Sequence, residues 1–429
     1  MKKRLLALGV MLAMLFACAA PALADEEKVI ATVTSEKAEE PENSAAGPDD
    51  KEDRAAYVPD EVGFVSFENI ERRMYKENLK IAMMDATIDT LNALDYDEIK
   101  SQLQAGLTMI DDQILILEQA AALEPIGAQF AIASLQTQAQ ELQEQLKAIK
   151  NGVLQDESSA AQAQLEAGQD ALVMAGETIF LAIKAMETSN TALQRQLESL
   201  NRTVEELELR YEMGQISALQ LAEVKAGRTS LVSGMKTLQM NIETYKSQLE
   251  QFLGAKITGE ITLGAVPEVT EAQINAMNVE EDWKVCKRQN YDIYAAEVAM
   301  DKADVEFLAA QKAYDKDSYE YRVAENALDA AEYTYNDTLQ TEELAFRTLY
   351  AKVLDCQQIL EAAKVSLQCE EESNKASQLK YEQGTISHNA LLTAEDELAA
   401  ARETVENAAN DLFAAYNTYC WAASHGILN

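Results

Sequence analysis

The segment Tyr211-Glu212-Met213-Gly214-Gln215-Ile216-Ser217 returns 170 residues later as Tyr381-Glu382-Gln383-Gly384-Thr385-Ile386-Ser387. A chain that carries one corner twice is built from two related halves, which constrains its architecture more than any single motif. The copying extends beyond seven residues. After the first corner, Leu221, Met235, Ile242 and Leu249 fall on a seven-residue spacing, with Arg228 in the remaining slot. Val224, Leu231, Leu238, Tyr245 and Phe252 form a second such line. After the second corner, Leu391, Leu398, Val405 and Leu412 repeat every seven, as do Ala394, Ala401, Ala408 and Ala415. Leu391 is the 170-residue equivalent of Leu221, and Ala394 that of Val224, so corner and heptad phase are duplicated together. Before the first corner, Leu193, Leu200 and Leu207 lie on one line and Leu197, Val204 and Tyr211 on another, the seam of a coiled coil.

The corner has a local physical explanation. A residue just past a helix C-terminus commonly takes a left-handed conformation, which glycine adopts without steric cost. Gly214 and Gly384 therefore end one helix, and Ile216 and Ile386 can pack back on its last turn. Ser217 and Ser387 are N-caps of the next helix. Ser217 has Gln220 at capping-box spacing, whereas Ser387 has Ala390 there. Each corner thus joins two antiparallel helices through a very short turn. Alanine on one whole core line of the last helix lets neighbouring backbones approach closely.

Proline supports long helices over the rest of the body. Of six prolines, only Pro125 and Pro267 occur after residue 60, and Ala, Leu, Glu, Gln and Lys fill that region. Helical sequence begins near Phe64, with Ser66 a candidate N-cap, and runs to Phe252. Breaks are expected at Asp95-Tyr96-Asp97, at Glu124-Pro125-Ile126-Gly127 and at Asn151-Gly152. Residues 254–278, with Gly254, Gly259, Gly264 and Pro267, read as an extended connector. Helix resumes around Glu280. Asn290-Tyr291-Asp292-Ile293 echoes Asn78-Leu79-Lys80-Ile81 at a spacing of 212, so the second half is about 42 residues shorter before its corner. The expected domains are a helical half over 63–253, the connector 254–278 and a second half over 279–429.

The N-terminus is a targeting segment. Lys2, Lys3 and Arg4 make a basic start, Leu5 to Phe16 an apolar run, and Ala22-Leu23-Ala24 a cleavage site, giving a signal peptide over 1–24. Leu15-Phe16-Ala17-Cys18 offers a lipidation site as the rival reading; either way the chain is exported. Residues 25–62 are polar, acidic and proline-bearing, the composition of a disordered leader. No later stretch reaches the ~20 apolar residues of a membrane helix.

The net charge is −37, and removing 1–24 takes away three basic and no acidic residues. Such a surface repels nucleic acid and anionic lipid. It is either a solvated exterior or an acidic lumen that selects cations. Cys286, Cys356, Cys369 and Cys420 show no disulfide framework and read as small buried thiols. The two histidines, His388 and His425, have no partner at metal-ligand spacing. Phosphate-binding and nucleophile motifs are missing as well. The residues suggest no enzyme, cofactor or metal.

These features together resemble the TolC-type outer-membrane efflux family over roughly residues 64–429. The resemblance rests on the signal peptide, the two halves, and the opening Ser66-Phe67-Glu68-Asn69-Ile70 with Glu77-Asn78-Leu79-Lys80-Ile81. It rests above all on the doubled Tyr-x-x-Gly-x-Ile-Ser corner before a long helix ending at Leu253-Gly254. It implies a homotrimeric helical tunnel, topped by an outer-membrane β-barrel, that serves efflux or secretion with a periplasmic adaptor and an inner-membrane pump. Tyr211, Gly214, Ile216, Ser217, Tyr381, Gly384, Ile386 and Ser387 then match the helical tips that meet the adaptor. Two departures are legible. Leu79 and Tyr291 stand where the family usually has proline. No strand hairpin of alternating apolar residues, which the family's barrel requires, stands in 101–170 or 300–350, where the spacing is helical.

The expected fold is all-α, with elongated antiparallel helical hairpins in two homologous halves, TolC-like without clear barrel strands. The expected function is a passive conduit of the cell envelope. The alternative is an exported coiled-coil scaffold with no channel activity.

Overall fold

The computed structural model describes residues 59–120 and 125–428. The signal peptide, Cys18 and the leader up to residue 58 lie outside them. Among the described residues, β1 (Phe64–Val65) leads through a 3-10 turn (Phe67–Asn69) into α1 (Ile70–Glu77), α2 (Leu79–Asn92) and α3 (Tyr96–Ala120). The chain continues through α4 (Pro125–Lys150) and α5 (Val153–Glu212) to α6 (Ala218–Phe252) after the first corner. The connector holds β2 (Thr262–Leu263) and α7 (Glu271–Ala276). The second half comprises α8 (Val279–Gln289), α9 (Tyr291–Ala313), α10 (Tyr319–Glu382) and α11 (His388–His425).

The helix breaks have local causes. Asp95 caps α3 by accepting from the N–H groups of Asp97 and Glu98, both at 3.0 Å. Pro125 opens α4, where its missing N–H is no loss. At the third break, Asn151-Gly152 separates α4 from α5.

Two helices dominate. α5 has 60 residues and α10 has 64, so each is about 90–96 Å long at ~1.5 Å per residue. α6 folds back along α5, and α11 folds back along α10. α11 also lies antiparallel against α5. Glu177 meets Asn417, Arg195 meets Glu403, Arg202 meets Asp396 and Glu206 meets Asn389, a steadily falling register. The four helices therefore stand in the order α6, α5, α11, α10.

Away from the corners, each half has its own apolar core, and α11 serves both. Phe413 and Trp421 join the first core, with Ile70, Met74, Phe180 and Leu249. Leu412 and Tyr419 join the second, with Trp283, Phe346 and Val353. Phe67 is sandwiched edge-on between Phe180 at 5.5 Å and Phe413 at 4.8 Å, which ties the first half to the second.

Four expectations need correction. Ser66 does not cap a helix; its hydroxyl donates to Asp60 at 2.6 Å, and the turn that follows has no side-chain cap. Asp60 also accepts from Asn69 and Arg73, so the last residues assigned to the leader belong to the folded body. The connector is not wholly extended. Thr270 and Gln273 form a capping box that starts α7, while β2 pairs in parallel with β1 through Thr262 and Leu263. Among the cysteines, Cys286 and Cys356 are buried, but Cys369 is exposed and Cys420 only half-buried.

The places where the resemblance implies strand hairpins are helical. α3 pairs with α4, and α9 pairs with α10. β1 and β2 are the only strands among the described residues.

Candidate functional site

The two corners adopt one backbone geometry. Gly214 has φ +72° and Gly384 has φ +70°. At the first, the Gly214 N–H donates to the Tyr211 carbonyl at 2.9 Å and the Gln215 N–H to the Arg210 carbonyl at 2.8 Å. At the second, Gly384 donates to Tyr381 at 2.8 Å and Thr385 to Lys380 at 2.9 Å. Both are Schellman turns, which satisfy carbonyls that the helix end would leave unpaired. Ser217 then accepts from the Gln220 N–H, with Gln220 returning the bond to complete the capping box; Ser387 accepts from Ala390 without that return. The missing glutamine removes the return bond to the cap backbone and leaves the turn unchanged.

Burial is duplicated as well. Ile216 and Ile386 are half-buried, and every other residue from 211 to 220 and from 381 to 390 is exposed. A Cβ on either glycine would meet nothing within 4 Å. The corners are thus open surfaces that hold two partly exposed tyrosines, Tyr211 and Tyr381. The Tyr381 ring lies 5.7 Å from that of His388.

Tertiary structure brings the two corners together. Asn389, two residues after Ser387, donates to Glu206, five residues before Tyr211, at 3.5 Å. The corners therefore sit side by side at one end of the four-helix row. Sequence reasoning found the eight corner residues but missed the apolar rim around them: Leu209, Met213, Leu219 and Leu379 are all more than half exposed. The signal was there, since Leu209, Met213 and Leu219 fall off the heptad lines around the first corner.

At the opposite end, a polar contact joins the halves. Glu177, 5% exposed, accepts from Asn417 at 2.7 Å and from Trp421 at 2.6 Å. Burial pushes its carboxyl above the usual range; the Asn417 and Trp421 donors pull it back in part, and Glu71 adds to the rise. Sequence reasoning did not single it out, although it is the only charge between Asp170 and Lys184. Glu250 shows the reverse balance. Burial raises it, but the N–H groups of Gly259 and Thr258 and the Thr258 hydroxyl outweigh burial and hold it below the usual range. Both carboxylates are fully engaged in structure. Among the described residues no group of side chains could hold a metal ion, and no helix is long and apolar enough to cross a membrane.

The sequence matches no family model and no curated protein. Solved structures do share its fold. A membrane protein from Pseudomonas aeruginosa is 14% identical with a TM-score of 0.52, over 83% of this chain and 90% of that one. The outer membrane protein VceC from Vibrio cholerae is 14% identical with a TM-score of 0.51, over 84% and 96%. CusC, described for conformational changes accompanying folding and transmembrane channel formation, is 13% identical with a TM-score of 0.50, over 87% and 96%. At such identities the likeness establishes the fold alone: the helical architecture is that of TolC-like outer-membrane channel proteins.

Proposed function

We propose that this chain is an exported component of an efflux or secretion assembly in the cell envelope, forming a passive helical conduit as a homotrimer. In that role the paired corners are the docking tips. Tyr211 and Tyr381, with the exposed apolar rim, contact an adaptor; Gly214, Ile216, Ser217, Gly384, Ile386 and Ser387 set the turn that presents them. An inner-membrane pump supplies the energy. The observation that carries this reading is the pair of uncovered corners of one backbone geometry placed side by side at one end of four long helices.

Residues 1–24 are the export signal in this scheme. The acidic surface suits a lumen that passes cations, and nucleic acid is not a partner. The test combines light scattering, planar-bilayer conductance and capture of an adaptor encoded beside the gene. A strict monomer with no conductance would sink the conduit. Loss of adaptor capture in the Tyr211→Ala/Tyr381→Ala variant, with helicity retained, would support the docking role.

A second reading has its own support. α3 with α4, and α9 with α10, are helical pairs where a barrel would need strands. An envelope scaffold of the same fold needs no barrel. Oligomers that bind envelope components yet never conduct would favour it.

A further inference from the structure

The two halves differ by one element. Between its asparagine junction and its corner, the first half is about 42 residues longer than the second. The α3–α4 hairpin accounts for the surplus: α9 turns directly into α10, whereas α2 reaches α5 only through α3 and α4. α2 runs antiparallel along α5, with Asp85 accepting from Gln169 at 2.8 Å and Asn92 from Gln162 at 2.6 Å. The hairpin therefore leaves the body at the start of α5, about 90 Å from the corner that ends it. It packs on itself and meets the body where α4 passes into α5.

The hairpin has its own seam. Leu103, Ile110 and Leu117 on α3 are half-buried at heptad spacing, as is Leu135 on α4, where Leu142 and Ile149 continue the line. A Cβ on Gly106 would stand 3.5 Å from Leu142, and this antiparallel register places 114–117 beside 131–134. At that level both arms become apolar on every side. Ile114-Leu115-Ile116-Leu117 and Phe130-Ala131-Ile132-Ala133 each go once round their helix. Ile116 is 64% exposed and Phe130 76%, with Leu115 and Met109 more than half exposed. Over positions 113–140 the charges are Glu118 and Glu124 alone, in a chain whose residues are 25% charged.

We propose that this apolar collar inserts into one leaflet of a zwitterionic lipid bilayer without spanning it. A helix of a water-soluble body shows an apolar stripe to one neighbour, whereas a helix apolar all round belongs inside a core or in a membrane. A protein partner would cover one side of the hairpin; lipid surrounds it. From Ile114 to the end of α3 is about 10 Å, the depth of an interfacial insertion and well short of the ~30 Å hydrocarbon core. Asp111 and Asp112 stand within one turn behind the collar and stay in water. Their charge, in a chain of net −37, disfavours an anionic surface. The anchor rests on neither the conduit nor the scaffold reading and is compatible with both.

The test floats the full chain with phosphatidylcholine vesicles. Wild type should rise with the vesicles, and admixed phosphatidylglycerol should weaken the binding. Ile116→Asp/Phe130→Asp should lower the partition coefficient by about a hundredfold, since each buried apolar side chain is worth about tenfold or more. Glu118→Gln, which removes the charge nearest the collar, should tighten binding. Leu344→Asp, at a similarly exposed site on α10, should float as wild type does. Phe130→Trp reports the depth: brominated phosphatidylcholine should quench its fluorescence, while the native Trp283 and Trp421 are buried in the body and should not respond. Circular dichroism checks that each variant is folded. A folded wild type that stays out of the vesicle fraction would overturn the proposal, as would binding that requires phosphatidylglycerol. So would a double variant that floats as wild type does while its oligomer size changes in light scattering, which would assign the collar to a protein contact. Flotation of a protein that never conducts would leave this anchor standing while removing the conduit reading.

Discussion

Asn78 and Asn290, 212 residues apart, occupy the same junction in the two halves and make the same pair of contacts. Each sits between two helices with ψ 120°, and φ is −75° at Asn78 and −69° at Asn290. Each side-chain oxygen caps the following helix, accepting from Lys80 and Ile81 in the first half and from Ile293 in the second. Each side-chain amide reaches the end of the helix that follows its own corner, Asn78 donating to the Phe252 carbonyl at 2.7 Å and Asn290 to the Gly426 carbonyl at 2.9 Å. Both residues are almost fully buried. One buried amide thus starts a helix and closes the half on itself.

Replacing either asparagine by alanine removes a cap and strands a buried carbonyl. Losses of this kind cost about 1 kcal/mol for the cap and about 1–3 kcal/mol for the unpaired group. Asn78→Ala and Asn290→Ala should each lower stability by about 2–4 kcal/mol in urea unfolding. Asn78→Asp keeps the cap but not the donor, and should fall between alanine and wild type.

The glycines of the structure separate strain from collision. Gly214→Ala and Gly384→Ala force a left-handed alanine into open space, costing about 1–2 kcal/mol each. At Gly254, φ is +63° and an added Cβ would stand 2.2 Å from the Glu77 carbonyl oxygen. Gly254→Ala should therefore lower the melting temperature well beyond either corner variant. Equal shifts in all three would contradict this packing.

Arg195 and Glu403 join the hairpins at 2.5 Å, with both side chains mostly shielded from water. Arg195→Ala leaves the Glu403 carboxylate partly buried without its cation, at a cost of about 2 kcal/mol, between the values for exposed and fully buried pairs. The Arg195→Leu/Glu403→Leu double variant should recover most of that loss. A double-mutant cycle by chemical denaturation measures it.

Glu250 and Glu177 predict opposite responses to acid. The lowered Glu250 carboxyl holds its proton less tightly folded than unfolded. Its stabilisation is present above the unfolded carboxylate range and fades as pH falls through the lowered folded value. The raised Glu177 carboxyl holds its proton more tightly folded, so its charge weakens the fold above the raised value, and that loss disappears as pH falls through the carboxylate range. In thermal melts from pH 7 to pH 3, the advantage of wild type over Glu250→Gln should shrink. Relative to Glu177→Gln, wild type should gain. The same sign for both pairs would refute the assigned environments.

The long helices, both corners and the Asn290 echo of Asn78 were legible because each is written in a few neighbouring residues. A Schellman turn spans six residues and a cap three, so Gly214 and Ser217 announce their geometry locally. The short helix α7 escaped notice because six residues carry too little periodicity to stand out. Cys369 was misplaced for a different reason: a small apolar residue on a helix can face a core, a partner chain or water. The corner residues were found as a pair of turns, and the rim was readable from apolar residues off the heptad lines, but the meeting of the two corners at one end of the row was not visible in sequence.

By itself the sequence determined the duplication, the helix ends and the heptad lines, since these follow from backbone conformation and from spacing along one chain. Only the tertiary structure decided which line meets which. It set α11 between the two cores, buried Glu177 against Asn417 and Trp421, and left the α6 and α10 outer faces uncovered. The physical reason is that burial belongs to pairs of surfaces. Two amphipathic lines on one helix look alike in sequence until a residue 208 positions away, as Glu403 is from Arg195, arrives to cover one of them.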